Sequence, residues 1–470
     1  MNIQTEKNFA TSRWERVSYY NYYLGQNLAF IIVTSFLSVY YTTTLGISAA
    51  VVGTILLLAR VWDALVDPVL ATIIEKSNLR GGKFKPWIKL ASFTVPILTV
   101  LCFGFEHQLL NAALGLRITY AAVTYLLWGT IFAASDAPSY ALATVMTPYP
   151  EERNKLLSFL QINSMVGILL GVIGFPIVLN ATNNNYMITI LIFSVITFVF
   201  MYMARFTKER VKQEDRPSPS VKQILGSVVR NKYLVAIIGL SIISWGTNFA
   251  QAIAPYIGSD IYKDENVTSL ILGVGLLPIL LVAPFIPALI RKFGKIHLLG
   301  FSFVANIVLS LIIHFVGPHN LNLFLALSFV RAALSAPPMI IYSLFFADCM
   351  EYDCYKNGTR FEAATFAMQT LTSKISLAIS GGLGLWLLAA VGFKESIAGQ
   401  TVVQTQHTLD GMWAIYNLGP AVGCLLGLFI LYKFYDLTEE KVKMMVDENM
   451  KRARIGQSSD VIQSSSNFKA

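Results

Sequence analysis

About twelve runs of some twenty apolar residues, each closed off by a polar break, leave this chain few ways to fold. They fall near residues 20–45, 50–74, 87–106, 115–146, 157–180, 184–205, 231–257, 267–290, 296–316, 321–347, 362–393 and 410–434. Runs of that length cross a bilayer as helices, and in hydrocarbon only helices and closed barrels satisfy their own backbone. With 55% hydrophobic and 13% charged residues in a length of 470, the chain reads as an all-α integral membrane protein, and soluble classes are set aside.

The net charge of +9 does not point to nucleic acid, because its distribution is that of a membrane protein. Basic residues crowd alternate loops: Lys7, Arg13 and Arg16; Lys76, Arg80, Lys83 and Lys85; the stretch Arg205 to Lys232; Arg291, Lys292 and Lys295; and the tail from Lys441 to Arg454. The opposite loops hold little beyond Arg117, Lys263 and Lys394. Both termini are therefore expected in the cytoplasm, which requires an even number of spans. The opening residues MNIQTEKNFATS are polar and lack a cleavage pattern, so span 1 itself would target the chain to a bacterial cell membrane. Cys102, Cys349, Cys354 and Cys424 are scattered among spans and a cytoplasmic loop, without the spacing of a zinc site.

The most polar internal stretch, with mixed charges and Pro217 and Pro219, cannot cross a bilayer and separates spans 1–6 from 7–12. This sets an N-terminal six-helix bundle at 1–205, a cytoplasmic linker at 206–230, a C-terminal six-helix bundle at 231–436 and a partly disordered tail at 437–470. The loops EKSNLRGGKFKPW and IRKFGKIHLLG place glycine and basic residues at the same point of each half. Two six-helix bundles related in this way are the organisation of the major facilitator fold, with twelve transmembrane helices and a site at the midplane.

Charges inside the spans are the informative anomalies: Arg60, Asp63 and Asp67 in span 2, Asp136 in span 4, Arg331 in span 10 and Lys374 in span 11. An ionisable group at the centre of a lipid-embedded helix costs about 2.5–3.5 kcal/mol, so these must face a cavity or a partner. Arg60 and Arg331 suit static interhelical pairs. Asp63 and Asp67, one turn apart on one face, repel each other, and a proton or a shared cation relieves that repulsion. Structural pairs rarely need such frustration.

Span 1 reads SYYNYYLGQNLAFIIVTSFLSVYYTT, clustering Tyr20, Tyr23, Gln26 and Asn27 within two turns. Amides interleaved with aromatic faces suit a hydroxyl-rich ring. Tyr19, Tyr20, Tyr40 and Tyr41 fit an interfacial aromatic belt instead. In span 4, Asp136 is followed by Pro138 and Tyr140, and a break at the proline would free backbone groups beside the carboxylate. Span 11 carries Gln369, Thr370, Thr372, Ser373 and Lys374 as a polar segment, with Thr370 and Lys374 on one face.

Together these segments resemble the glycoside-pentoside-hexuronide:cation symporters, a melibiose permease-like family of the major facilitator superfamily. The carrying motifs are R-V-W-D-A-L-V-D-P (Arg60 to Pro68), G-K-F-K-P-W (Gly82 to Trp87), the stretch from Trp128-Gly129 to Asp136-Ala-Pro, T-K-E-R-V (Thr207 to Val211), A-D-C-M-E-Y-D with Lys356, Gly358 and Arg360, and Q-T-L-T-S-K (Gln369 to Lys374). The resemblance implies a symporter that moves a sugar with a monovalent cation by alternating access. It implies a cation site at Asp63 and Asp67, with Asp136 close by and Lys374 interacting. It places Asn27 where the family has a sugar-binding aspartate, Gln26 at a neighbouring lysine, Tyr140 at a stacking tryptophan and Gln161 at an arginine, while Asp136 is kept. Tyr23, Gln369 and Thr370 complete the expected sugar contacts. The changed positions argue against melibiose itself, and the loss of charge at Gln161 argues against a strongly anionic hexuronide.

Sodium-using relatives supply a hydroxyl one turn before the span-4 aspartate, where this chain has Ala133, with Ser135 the nearest substitute. That departure favours proton over sodium coupling; sodium, if used, would sit at Asp63 and Asp67. No other cofactor or metal is expected, and the partners are a small-molecule sugar and the lipid bilayer. Two alternatives stand beside this reading. A lysolipid carrier of the same fold would want an apolar lateral opening rather than amides and aromatics. An intramembrane aspartyl enzyme built on Asp63 and Asp136 lacks its Gly-x-Gly-Asp context, and no His lies near the aspartates.

Overall fold

A computed structural model describes residues 10–77, 81–211, 226, 230–357, 362–396, 402–449 and 451–452. Lys7, Arg80, Gly358, Arg360, most of the expected linker and the end of the expected tail lie outside the described residues. Among the described residues there is no β-strand, and twelve helices are long and apolar enough to cross a membrane. They are α1 (Arg13–Val39), α2 (Ala49–Lys76), α3 (Lys85–Phe103), α4 (Leu114–Met146), α5 (Pro150–Ala181) and α6 (Tyr186–Tyr202). Then follow α7 (Lys232–Gly246, resumed as Ala250–Tyr256), α8 (Glu265–Val282, resumed as Ile286–Phe293), α9 (Lys295–Val316), α10 (Leu321–Leu334, resumed as Ala336–Asn357), α11 (Glu362–Ala390) and α12 (Gln406–Phe434).

Local chemistry explains where the helices start. Ser12 and Glu15 form a reciprocal capping box on α1. Asn185, Asn231 and Asn320 each accept from the backbone N–H three residues on, at 3.0, 3.1 and 3.1 Å, and so cap α6, α7 and α10. Hydroxyls within the spans return to their own helix, as Thr34 does to the Phe30 carbonyl at 2.8 Å, so apolar helices carry them without loss. At the interruption of α7, the Ser380 hydroxyl donates to the Asn248 carbonyl.

The chain divides into two compact units: Met1–Arg216 with Phe249–Leu276 and Gly381–Tyr416, and Pro217–Asn248 with Leu277–Ser380 and Asn417–Ala470. In the first, Tyr19, Tyr23, Ile88, Leu142, Met146 and Leu160 share one core. In the second, Ile237, Leu299, Ile341, Phe345 and Leu431 do so. Each unit repeats one device. Glu209 accepts from the backbone N–H of Lys83, Phe84 and Lys85 at 2.8, 2.9 and 2.8 Å where α3 begins. Glu439 accepts from Lys295 N where α9 begins. A glycine with positive φ precedes each site, Gly82 at 124° and Gly294 at 78°, and a Cβ on either would press on the capping carboxylate.

Three local expectations need correction. Tyr19, Tyr40 and Tyr41 form no interfacial belt: they are 1%, 0% and 0% exposed, and Tyr40 packs on Phe103 and Tyr186. Hydropathy registers an aromatic without telling whether lipid or a neighbouring helix covers it. Cys349 and Cys354 lie in the helical extension of α10 rather than in a loop, and Cys349 is buried. The polar run there forms one more helical stretch because its apolar residues, Phe345, Phe346 and Cys349, still join the core. Finally, α4 runs through Pro138 unbroken, and the Ser139 hydroxyl bonds the Asp136 carbonyl at 2.7 Å.

Candidate functional site

In the first unit α2 packs on α4, and both run in the same direction. Asp63 is 6% exposed and accepts from Arg60 Nη1 at 3.1 Å, one turn earlier on the same helix. Across the contact stands Gly129, where a Cβ would lie 3.2 Å from Asp63 Oδ1. Trp62 Nε1 donates to Thr130 Oγ1 at 3.0 Å and pins the register. By ideal helix geometry, one turn on, about 6 Å along each axis, stand Asp67 on α2 and Ala133 on α4, and Asp136 lies three residues further along α4. The three carboxylates thus share one helix pair. Tyr125, buried on α4, sits against Arg60, a neighbour the sequence reading missed.

An adjoining side of α4, carrying Ser135 and Ser139, meets α1. Gln26, 1% exposed, directs Nε2 to Ser135 Oγ at 3.2 Å and toward Asp136 Oδ1 at 3.5 Å. Ser135 also donates to the Phe132 carbonyl at 2.7 Å. Its hydroxyl is thereby engaged on the α1 side. Tyr23 donates to Ser139 Oγ at 2.7 Å and presents its ring edge-on to Tyr140, centroids 5.3 Å apart. Tyr140 is 42% exposed, and the Gln161 side chain of α5 bonds its hydroxyl. Asn27 turns back to the Tyr23 carbonyl at 3.0 Å.

Tyr23, Gln26, Asn27, Asp136, Tyr140 and Gln161 therefore form one cluster on α1, α4 and α5. An exposed ring beside a carboxylate and two amides offers a sugar one face and several hydrogen-bonding groups. Tyr22, Ser135 and Ser139 belong to the same cluster, though only Ser135 drew notice in the sequence. Tyr22 lies four residues before Gln26, and that helical spacing was the available signal. Among the described residues the buried Gln26 Oε1 accepts no hydrogen bond, while the buried Tyr22 hydroxyl interacts with Ser135.

The second unit carries the remaining candidates. Gln369, Thr370 and Lys374 lie together on α11; Gln369 Nε2 donates to Ser343 Oγ at 2.7 Å, Thr370 is exposed and Lys374 half-buried. Arg331, 7% exposed, donates to Asn417 Oδ1 at 3.2 Å and Ser310 Oγ at 3.4 Å, so neutral groups help to hold it.

Residues 22–439 match the family described as MFS/sugar transport protein. The chain is 26% identical over 460 residues to the isoprimeverose transporter of Lactiplantibacillus pentosus, covering 94% of this chain and 92% of that one. It is 28% identical over 443 residues to the glucuronide carrier protein homolog of Escherichia coli (strain K12), covering 92% and 94%. The crystal structure of the nucleoside transporter NupG shares the fold, with a TM-score of 0.62 at 12% identity over 89% of this chain and 99% of that one.

Proposed function

We propose, because the chain belongs to the MFS/sugar transport protein family, that it imports a neutral glycoside together with a monovalent cation, a proton in preference to sodium. It is a multi-pass membrane transporter of the sugar-transport class and not an enzyme. The cation part of the reading rests on the face that α2 turns to α4. Arg60, Asp63 and Asp67 together sum to one negative charge, the amount a single monovalent cation neutralises. Sodium would need further oxygen ligands, yet α4 offers Gly129 and Ala133 at the levels of the two aspartates, and Ser135 is engaged with Gln26. A proton needs a carboxylate alone.

Sugar binds within the first unit at Tyr23, Gln26, Asn27, Asp136, Tyr140 and Gln161. The names of the similar proteins, one for isoprimeverose and one for glucuronide, support a glycoside. The neutral Gln26 and Gln161 favour an uncharged one. Cation binding at Asp63 and Asp67 tightens the sugar site on the shared helix α4, and by reciprocity sugar tightens the cation site equally. Both termini face the cytoplasm of the cell membrane, so the end where α1 passes into α2 faces outside.

The test is sugar-dependent alkalinisation of the medium by de-energised cells, with isoprimeverose as the first probe. Asp63→Asn and Asp67→Asn should each abolish accumulation against a gradient. Accumulation that survives both substitutions overturns the cation assignment.

A further inference from the structure

At the outer end of the first unit, residues from two distant parts of the chain meet on the opening turns of α2. Ala49, the first residue of α2, donates its backbone N–H to Glu395 Oε1 at 3.1 Å. The next carbonyl, Ala50 O, accepts from Trp386 Nε1 at 3.1 Å, and Thr54 Oγ1 lies 3.2 Å from the same nitrogen. Ser396, beside Glu395, binds the end of α1 through its N–H to Thr42 O at 3.2 Å and its hydroxyl to Thr43 O at 2.7 Å. Behind these contacts Tyr256 meets Thr42 Oγ1 at 2.9 Å. Gln251 Nε2 reaches Thr34 Oγ1 at 3.0 Å and Ser35 Oγ at 3.1 Å.

The backbones are close as well. A Cβ at Gly53 would stand 2.8 Å from Gly382 O and 2.9 Å from the Trp386 ring, so α2 and α11 cross where neither can carry a side chain. Each polar contact here is individually modest. They nevertheless converge on one structure, the N-terminus of the helix that bears Arg60, Asp63 and Asp67. A helix N-terminus has unsatisfied N–H groups and a partial positive charge, and Glu395 supplies both an acceptor and a negative charge to it.

We propose that Glu395 and Trp386 are positioning residues that latch the first turn of α2 and close the outer end of the first unit over Thr34 of α1. Neither touches the candidate sugar or cation groups. They act through α2: a rigid helix whose first turn is clamped carries Asp63 and Asp67 in one register against α4, and releasing the clamp frees that end to move outward. Glycine at Gly53 is what lets the latch close, because the helices must approach backbone to backbone. The role in transport rests on the reading given above, whereas the latch itself can be measured without uptake.

The experiment labels a reporter cysteine, Thr34→Cys, with a membrane-impermeant maleimide in whole cells. The background has the four native cysteines replaced by serine and is first shown to keep the uptake of the unaltered chain. Thr34 lies two turns deeper than Thr42, behind the latch. Glu395→Ala and Gly53→Val should each speed labelling about tenfold or more, the shift that losing a charge-assisted bond or wedging the crossing gives, and Trp386→Phe, which loses one neutral bond, about threefold. Glu395→Gln keeps an acceptor oxygen for Ala49 and should stay within about threefold of the parent, since a neutral acceptor retains part of the bond. Val403→Ser, on the exposed neighbouring loop, should change nothing. Unchanged labelling in folded Glu395→Ala and Gly53→Val proteins overturns the proposal, as does equal acceleration by Val403→Ser. Accelerated labelling in a protein that moves no sugar keeps the latch and discards the transport assignment.

Discussion

Gly129 on α4 leaves open the space that the Asp63 carboxylate of α2 occupies, since a Cβ there would stand 3.2 Å from Oδ1. A methyl group at this point must push Asp63 away or tilt the helix pair. If Asp63 belongs to the cation site proposed above, Gly129→Ala should weaken the apparent affinity for that cation about fivefold, the equivalent of about 1 kcal/mol of overpacking, with the protein still folded. Uptake measured against pH at fixed sugar concentration reads the effect. An unaltered profile would remove α4 from the cation site.

Ala133 makes a second, opposite prediction. Ala133→Ser adds a hydroxyl at the level of Asp67, and Ser135, tied to Gln26, does not compete for the position. On the proton-coupled reading proposed above, sodium should stimulate uptake by the variant and not by the parent. Initial rates with sodium or potassium chloride at one pH decide it, and indifference to sodium argues against a ligand position at 133.

Tyr140 separates ring from hydroxyl. Tyr140→Phe loses the bond to Gln161 but keeps the exposed ring, so under the proposed sugar site the uptake KM should rise no more than about tenfold, as one hydrogen bond allows. Tyr140→Ala removes the face as well and should raise KM further. Equal values for the two variants would mean the ring does not contact the substrate.

Glu152, in the first turn of α5, holds the chain ahead of α1. It accepts from Ala10 N at 2.9 Å, Thr11 N at 3.1 Å and Thr147 Oγ1 at 2.5 Å, and also from the Thr11 hydroxyl. Burial pushes its pKa up, but the hydrogen bonds from Thr11, Thr147 and Ala10 outweigh burial and leave it below the ordinary value. A lowered carboxylate stabilises the fold above its unfolded value, about 4.3, and that contribution is lost as pH falls through the folded value. Protection of the Ala10 and Thr11 amides from hydrogen exchange, relative to the free-peptide rate at each pH, should be full at neutral pH and be lost only as pH falls below the ordinary carboxylate range. Glu152→Gln should lose that protection at neutral pH.

The two capping carboxylates predict paired stability effects. Glu209→Ala strands three backbone N–H groups at the start of α3, a loss of about 2–3 kcal/mol for a charged cap. Glu439→Ala affects one N–H at α9 and should cost about 1 kcal/mol. Thermal unfolding in detergent ranks them, and the reverse order would contradict the geometry.

The spans were legible because a bilayer enforces one rule on every segment: about twenty apolar residues with their backbone satisfied internally. For the same reason Arg60, Asp63, Asp67, Asp136, Arg331 and Lys374 stood out against hydrophobic surroundings, and the order of the short motifs around them led to the family. Periodicity also put Asp63 and Asp67 on one face. It could not say what lay opposite, and Gly129 and Ala133 acquired meaning only from the packing of α2 on α4.

By itself, then, the sequence determined the twelve-helix membrane fold and the charged residues that need an explanation, since both follow from the cost of exposing polar groups to lipid. The tertiary structure decided which neighbours those residues meet. It turned Ser135 toward Gln26, buried Tyr40 and Tyr41 among helices and brought Glu395 onto the first residue of α2, 346 positions away. Hydropathy is a property of single segments, whereas such contacts depend on which face of a helix another helix covers, and each is set by packing between segments far apart in the chain.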